Sequence, residues 1–225
     1  MKLPALHIGN LTATVPIVQG GMGIGVSLSG LASAVANEGG VGVISAANVG
    51  FNEPDFKTNT VNANLRALKS ELLKAREKAK TGIIGVNIMV ALTSFRDLVR
   101  TAIANRADVI FSGAGLPTDL PRHLLELCEE KKEEFKTKLI PIVSSARAAS
   151  ILAKKWMRHF NYVPDGFVVE GPMAGGHLGF RENEITDQSF SLDKIVPPIV
   201  EVAKKLEDEC DHNVPVIAGG GVFTG

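Results

Sequence analysis

The stretch D-G-F-V-V-E-G-P-M-A-G-G-H-L-G-F, residues 165–180, decides the fold and carries the candidate site. Its apolar, partly β-branched run at 167–169 predicts a short buried strand, and Glu170 follows at the carboxyl end of that strand. His177 then lies in a loop whose glycines are Gly171, Gly175, Gly176 and Gly179. A histidine in such a loop can exchange a proton with a substrate near neutral pH. A solvent-facing histidine in a flexible turn is the simpler interpretation of G-G-H alone, but the strand before it and similar units elsewhere favour a site.

Seven short apolar segments alternate with helical segments along the chain. The predicted strands are 16–19, 41–44, 83–87, 108–111, 139–143, 167–169 and 214–218. The predicted helices begin at Ser27 or Ser29 and run to 37, then cover 59–80, 94–105, 120–135, 146–160 and 191–210, and a small hairpin at 6–15 precedes them all. Short apolar strands without polar alternation are buried on both faces, which indicates a parallel sheet flanked by helices.

Local signals mark some of the helix ends. Ser27 or Ser29 could cap the first helix, and Ser145 could cap the helix at 146–160. The pair Pro197-Pro198 should break or restart the last helix, because proline lacks the N–H that continues the helical hydrogen bonds.

Two architectures fit this order, an open doubly wound sheet and a (β/α)8 TIM barrel. Glycine-rich or polar residues follow most of the strands, which favours the barrel, because a barrel brings the loop after every strand to one mouth. In an open sheet only the loops near the switch point would be functional. The seven strands are one fewer than a barrel needs. We therefore predict a single domain over residues 1–225, a barrel truncated after its seventh strand, with strand eight and the helices beyond it missing.

The composition argues against several classes of function. Lys plus Arg and Asp plus Glu both number 24, so no net charge draws the chain to nucleic acid or to anionic lipid. No apolar run is long enough to span a membrane and the N-terminus lacks a signal core, so we expect a cytoplasmic protein. The isolated Cys128 and Cys210 predict reduced thiols, and the histidines show no metal-ligand spacing, so we assign no metal.

The loop G-G-M-G-I-G at 20–25 does not have the spacing of a dinucleotide-binding loop, and no acidic residue closes the next strand. A nicotinamide Rossmann site is therefore disfavoured. The alternative is backbone at Gly21, Met22 and Gly23 packed against a flat ring, with Met22 as a soft wall. Met22 as core filler is equally plausible from this pattern.

The sequence A-G-G-G at 218–221 is a better phosphate candidate. Barrels often bind phosphate with the loops after strands seven and eight, and the consecutive N–H groups of Gly219, Gly220 and Gly221 can form an anion nest. A tight turn is the alternative interpretation. Gly175 and Gly176 could add further N–H groups, so that a phosphorylated cofactor would lie between strands six and seven.

Polar residues at other strand ends complete the predicted mouth. Asn87 offers a donor and an acceptor for the edge of a heteroaromatic ring. Glu170 could accept from ribityl-type hydroxyls or orient the His177 loop, and Ser144 could do similar work. No catalytic Ser-His-Asp order and no paired carboxylates are evident. This combination suits a flavin or another phosphorylated redox cofactor better than it suits hydrolysis.

Four segments resemble the nitronate monooxygenase family, formerly called 2-nitropropane dioxygenases, which also includes FMN-dependent enoyl-acyl-carrier-protein reductases. They are PIVQGGMG (16–23), GVNI (85–88), EGPMAGGHLG (170–179) and PVIAGGG (215–221). The resemblance implies an FMN-bearing TIM barrel in which His177 is the active-site base. It also implies flavin contacts at Asn87, Glu170, Gly175, Gly219, Gly220 and the backbone around Gly21 and Met22. The family has a phosphate-binding Gly-Thr segment after strand eight, whereas Thr224 and Gly225 belong to the loop after the predicted seventh strand.

The resemblance leads to three functional hypotheses. The first is an FMN oxidoreductase that oxidises alkyl nitronates with O2, and the second is an FMN-dependent enoyl reductase that uses NAD(P)H. The third is a flavin-binding fragment without activity. The expected partners are a small-molecule substrate, either a nitronate or an enoyl thioester, and O2, with a homo-oligomer left open.

Overall fold

The computed structural model of this chain describes residues 3–222, so Thr224 and Gly225 lie outside the described residues. A parallel sheet of six strands curls into a half-barrel in the order β3-β4-β5-β6-β7-β8. Its strands are β3 (Val41–Ser45), β4 (Ile83–Met89), β5 (Val109–Gly113), β6 (Lys138–Val143), β7 (Phe167–Glu170) and β8 (Val216–Gly219). The predicted hairpin is confirmed as β1 (Leu6–Ile8) paired antiparallel with β2 (Leu11–Ala13).

Helices follow the strands and cover the outer face of the sheet. They are α1 (Ser29–Asn37), α2 (Thr60–Ala79), α3 (Phe95–Ala104), α4 (Leu120–Lys131), α5 (Ala146–Phe160) and α6 (Leu192–Cys210). Strand residues alternate between the two faces, so that Ile44 and Ile110 pack with the helices while Val43 and Phe111 face inward. Both faces are buried, which explains why the strands are apolar without polar alternation. No helix among residues 3–222 is long and apolar enough to cross a membrane.

The hairpin closes one end of the half-barrel. Ile8 and Ala13 are buried in one cluster with Val41 and Val109, residues at the starts of their strands. The side-chain amide of Asn213, just before β8, donates to the His7 carbonyl at 2.9 Å. The amino ends of the strands are therefore plugged, and the carboxyl ends are left for a site.

Two aspartates, the buried Asp165 and the half-buried Asp108, hold neighbouring strands at the amino ends. Asp165 is 2% exposed and accepts from Leu139 N–H at 2.8 Å and from the Tyr162 hydroxyl at 2.5 Å. Burial, together with the adjacent Asp165 charge, raises the pKa of Tyr162 well above its usual value. Asp108 accepts from Ile84 N–H in the same way, at 2.7 Å. Each carboxylate thus fixes the strand that follows it against the strand before it.

The predicted strand at 16–19 is wrong as a full strand. Val18 makes a single parallel bridge to Val41, with Val41 N–H donating to Ile17 and Gln19 N–H donating to Val41. Beyond this point the side chain of Gln19 replaces the backbone: its Nε2 donates to Val43 O at 2.9 Å and its Oε1 accepts from Val43 N–H at 3.3 Å. The segment therefore pairs with the edge of β3 only briefly before the chain turns into the glycine loop.

The predicted break at Pro197-Pro198 is also wrong, because α6 continues through both prolines. They lie near its amino end, so the hydrogen bonds they cannot make belong to the carbonyls of Asp193 and Lys194. Both residues are exposed, and water can satisfy those carbonyls. The apolar stripe of Ile195 and Ile199 remains buried against the sheet side.

Of three helix ends predicted from sequence signals, two are wrong and one is confirmed. Neither Ser27 nor Ser29 caps α1, whose first turn is instead satisfied by Glu71, which accepts from Ser29 N–H at 2.9 Å. Helix α4 ends at Lys131 rather than at 135, because Lys132 adopts a left-handed conformation. The Ser145 cap is confirmed, since its hydroxyl accepts from Ala148 N–H at 3.2 Å.

Candidate active site

A cavity of about 770 Å³ lies at the carboxyl ends of the strands. Its walls are inward-facing strand residues two apart, since side chains alternate across a strand. These residues are Val43 and Ser45 on β3, Asn87 and Met89 on β4, Phe111 and Gly113 on β5, Val168 and Glu170 on β7, and Ile217 and Gly219 on β8. The volume falls within the range of about 300–1,000 Å³ typical of small-molecule sites.

The structure brings most of the sequence-predicted site residues to this one cavity. Those that line it are Gly21, Met22, Gly23, Asn87, Glu170, Gly175, Gly176, His177, Gly219 and Gly220. Ser144 and Gly221 are not among its lining residues. Ser144 instead lies under the His177 loop, where its Oγ would be 2.6 Å from a Cβ built on Gly179, and a Cβ on Gly221 would be 3.1 Å from that of Met173.

The glycine loop 20–23 packs directly over Asn87. A Cβ built on Gly21 would overlap the Asn87 side chain, and a Cβ on Gly23 would lie 3.1 Å from the Cβ of Ala47. The loop backbone can therefore lie flat against the ends of β3 and β4 only with glycine at position 21. This arrangement leaves Met22 as a half-exposed side chain at the rim of the cavity.

Two glycine turns meet on the opposite wall. Gly171 N–H donates to Gly219 O at 2.8 Å, which joins the loop after β7 to the turn after β8. Gly176 has φ +88 and Gly220 has φ +89, the left-handed conformation that glycine adopts most easily. Within residues 3–222, the N–H groups of Gly175, Gly176 and Gly220 have no protein acceptor. Unpaired N–H groups in such turns form concave anion sites.

The space beside these turns is open. A Cβ built on Gly175, Gly176 or Gly219 would meet no atom of residues 3–222 within 4 Å. At these positions glycine is not required by contacts with the rest of the protein. A methyl group there would instead fill part of the cavity, which fits a ligand group that approaches the backbone closely.

Glu170 and His177 are neighbouring titratable residues of the site. Burial raises the pKa of the half-buried Glu170 carboxyl, and the charge of His177 offsets part of that rise. His177 is exposed and lies at the mouth of the cavity. The Glu170 carboxylate has no hydrogen-bond donor from the protein within the described part of the chain, so it is free to accept from a ligand hydroxyl. Residues 3–222 contain no cluster of three metal-ligating side chains.

A family model described as nitronate monooxygenase matches residues 6–225, nearly the whole chain. The chain belongs to the nitronate monooxygenase family. The motifs at 16–23, 85–88, 170–179 and 215–221 all fall inside the matched region, and the residues they bring to the cavity are the ones described above.

Solved structures agree with this assignment to the nitronate monooxygenase family. FabK from Thermotoga maritima is 27% identical with a TM-score of 0.64, and the match covers 93% of this chain and 52% of FabK. The M276A mutant of the same protein gives 27% identity, a TM-score of 0.64, and coverage of 93% and 54%. The chain thus spans about half the length of these structures. No curated protein matched the chain.

For this member of the nitronate monooxygenase family, sequence reasoning missed several cavity residues. They are Gln19, Ser45, Met89, Phe111 and Met173. Ser45 had a usable signal in the sequence, because it is a polar residue at the end of an apolar strand, and the structure pairs it with Asn87 at the same level of the sheet. Gln19 carried no comparable signal, because a glutamine before a glycine loop predicts neither burial nor contact with the next strand.

Proposed function

We propose that this chain is the flavin-binding part of an FMN-dependent oxidoreductase that oxidises alkyl nitronates with O2, and that its half-barrel belongs to a (β/α)8 barrel. One observation carries the proposal. A single cavity joins the His177 loop, the two glycine turns and the glycine loop over Asn87. The family and its FabK neighbours are flavin-dependent, which supports FMN as the cofactor.

The residues around the cavity fit FMN part by part. The N–H groups of Gly175, Gly176 and Gly220, which have no acceptor in the described part of the chain, suit its phosphate. The Glu170 carboxylate, which has no donor among residues 3–222, suits the hydroxyls of its ribityl chain. The backbone of the loop 20–23 and the Asn87 carboxamide suit the flat ring and its polar edge.

The residues of the chain would divide the chemistry as follows. In its neutral form His177 accepts the proton from the α-carbon of a nitroalkane, and the electron pair left behind moves onto the nitro oxygens as a nitronate. The nearby Glu170 carboxylate stabilises the positive imidazole that results. FMN, when bound, supplies the two-electron oxidation of the nitronate and the reaction with O2. A preformed nitronate needs no such proton transfer.

The FabK likeness favours a second candidate, because FabK is an enoyl-acyl-carrier-protein reductase. For that reaction FMN, when bound, would supply the reduction of an enoyl thioester at the β-carbon at the expense of NAD(P)H. The protonated His177 would then deliver the proton to the α-carbon. The same residue therefore serves either candidate, with the proton moving in opposite directions.

Steady-state kinetics on the FMN-loaded chain separate the candidates. Oxygen uptake with an alkyl nitronate in the absence of NADH supports the first, and NADH consumption that depends on a crotonyl thioester supports the second. A chain that binds FMN but performs neither reaction supports the inactive flavin-binding fragment. A chain that stays colourless after incubation with FMN contradicts the proposed cofactor.

The proposal includes the setting of the reaction. We infer a single domain over residues 1–225, a small-molecule substrate with O2 as the oxidant, and a cytoplasmic location. Light scattering, which measures mass in solution, would show whether the chain forms a homo-oligomer.

A further inference from the structure

A buried hydrogen-bond network lies beneath the glycine loop 20–23. Ser27 is 1% exposed, and its Oγ accepts from Met22 N–H at 3.0 Å and from Gln19 Nε2 at 2.9 Å. The same hydroxyl donates to the Gly20 carbonyl at 3.1 Å. A serine hydroxyl has one proton and two lone pairs, so these three bonds use its full capacity and fix its direction.

The network is anchored to the sheet. The Gln19 carboxamide is held at both of its polar atoms by the backbone of Val43 in β3. The Ser27 backbone is held as well, because Ser27 N–H donates to Met22 O at 2.9 Å and Ser45 N–H donates to Ser27 O at 2.9 Å. The position of the loop is therefore set by β3, the strand whose end brings Ser45 to the cavity.

The network binds the carbonyls of Gly20 and Met22 and the N–H of Met22, and it leaves the N–H groups of the two neighbouring glycines free within residues 3–222. Met22 N–H is shared between the Ser27 hydroxyl at 3.0 Å and the Gly20 carbonyl at 3.1 Å, whereas the N–H groups of Gly21 and Gly23 have no acceptor within residues 3–222. Both glycines line the cavity, while Ser27 does not. Ser27 therefore acts on the site from behind the loop and does not contact a ligand in the cavity.

We propose that Ser27, supported by Gln19, is a positioning residue of the site: it holds the Met22 peptide so that the N–H groups of Gly21 and Gly23 are available to the ring of the bound cofactor. This inference rests on the proposed function, since the cofactor ring is the ligand that the loop would meet. Substitution of Ser27 should change cofactor binding more than it changes the stability of the fold.

The test compares Ser27→Ala with Ser33→Ala in the full chain. Ser33 is a matched control, because it is also buried and its hydroxyl makes one bond, to Gly30 O at 3.1 Å within α1. FMN affinity is measured by quenching of flavin fluorescence, and the visible flavin spectrum is recorded for each variant. We expect Ser27→Ala to weaken FMN binding about tenfold, or about 1.4 kcal/mol, and to shift the flavin bands. Ser33→Ala should leave affinity within about twofold, since it alters no group that reaches the loop.

A measurement on the unsubstituted chain without FMN covers the case in which Ser27→Ala does not fold. Amide hydrogen exchange should be slower at Met22 than at Gly21 and Gly23, because among these three amides only Met22 N–H has acceptors within residues 3–222, namely the buried Ser27 hydroxyl and the Gly20 carbonyl. Equal exchange at the three amides, or equal FMN affinities for the two serine variants, would overturn the inference. Failure of the unsubstituted chain to bind FMN would count against the proposed function, while protection at Met22 would still support the positioning of the loop.

Discussion

Gly171 donates its backbone N–H to the carbonyl oxygen of Gly219, 2.8 Å away. This bond continues the pairing of β7 with β8 by one residue beyond the strand end, from Glu170 opposite Gly219 to the start of the His177 loop. The loop that carries the candidate base and the turn that carries the candidate phosphate site therefore have a fixed relative position. The following predictions test what each part of this arrangement does.

Gly21→Ala tests the close approach of the glycine loop to β4. The added methyl group would overlap the Asn87 side chain, so we expect a loss of about 1–3 kcal/mol in unfolding free energy from overpacking, together with weaker FMN binding. Urea unfolding and flavin fluorescence measure the two effects. Gly30→Ala is the control, since nothing lies within 4 Å of its added Cβ in α1, and it should stabilise the fold by about 0.5–1 kcal/mol. A Gly21→Ala variant that behaves like the control would contradict the packing argument.

Gly219→Ala separates contact with a ligand from contact with the protein. Its added Cβ meets no protein atom within 4 Å, so the unfolding free energy of the FMN-free chain should change by less than about 0.5 kcal/mol. FMN affinity should fall about tenfold or more, because the methyl group fills space beside the unpaired N–H groups. Gly220→Ala should destabilise even the FMN-free chain by about 1–2 kcal/mol, because its φ of +89 disfavours alanine and its Cβ would lie 2.7 Å from Ala174 N. If FMN affinity is unchanged in Gly219→Ala, the phosphate does not bind beside Gly219.

His177→Asn tests proton transfer. Turnover of a neutral nitroalkane should fall about 10²–10⁴-fold, because the substrate must lose a proton to the imidazole, whereas turnover of the preformed nitronate should fall much less. The comparison uses initial rates of oxygen uptake with both forms of one substrate. Equal losses for the two forms would argue against a base at this position and for a role in binding.

Glu170→Gln tests the effect of burial on the Glu170 carboxyl. Because folding raises its pKa above the usual value of 4.5, the native state favours the protonated form, and the stability that this provides is present at low pH and lost as pH rises through the folded pKa. The neutral glutamine avoids that loss. We therefore expect the variant to melt at a higher temperature than the parent chain at pH 7, and at the same temperature near pH 4. A variant that is less stable at pH 7 would indicate a stabilising partner for the carboxylate.

Asp165→Ala tests the anchor at the amino ends of β6 and β7. The substitution leaves Leu139 N–H and the Tyr162 hydroxyl without their buried acceptor, so we expect a loss of about 2–4 kcal/mol in unfolding free energy. The fluorescence of the buried Trp156, the one tryptophan in the chain, reports urea unfolding. Asp187→Ala is the control, because Asp187 is exposed and its carboxylate accepts a local bond, from Ser189 N–H at 2.9 Å. Similar losses in the two variants would show that Asp165 does not anchor the strands.

Sequence patterns were sufficient to predict the strands and the family where the signal lies in neighbouring residues. The apolar runs at 41–44, 83–87 and 108–111 each became a strand within a residue or two, because burial on both faces demands continuous apolar residues. The motif around His177 identified the family, since its glycines and histidine follow a strand at fixed spacing.

The errors arose where the surroundings of a segment in the folded chain outweighed its local signal. Residues 16–19 have strand composition, but the Gln19 side chain takes the place of the backbone ladder with Val43. Pro197 and Pro198 do not break α6, because they lie near its start and the carbonyls they leave unpaired belong to exposed residues. Ser144 stands at a strand end like Asn87, yet it lies against Gly179 and not among the residues that line the cavity.

The sequence by itself determined the parallel α/β class through its apolar periodicity, and it determined the family and the residues of the proposed flavin site through the resemblance of four motifs, because both kinds of pattern are properties of neighbouring residues. Only the tertiary structure decided which of those residues share a cavity, how Ser27 and Gln19 hold the glycine loop, and that Gly171 bonds to Gly219. Those facts depend on strand register and on the curl of the sheet, which bring together residues that are tens of positions apart in the chain.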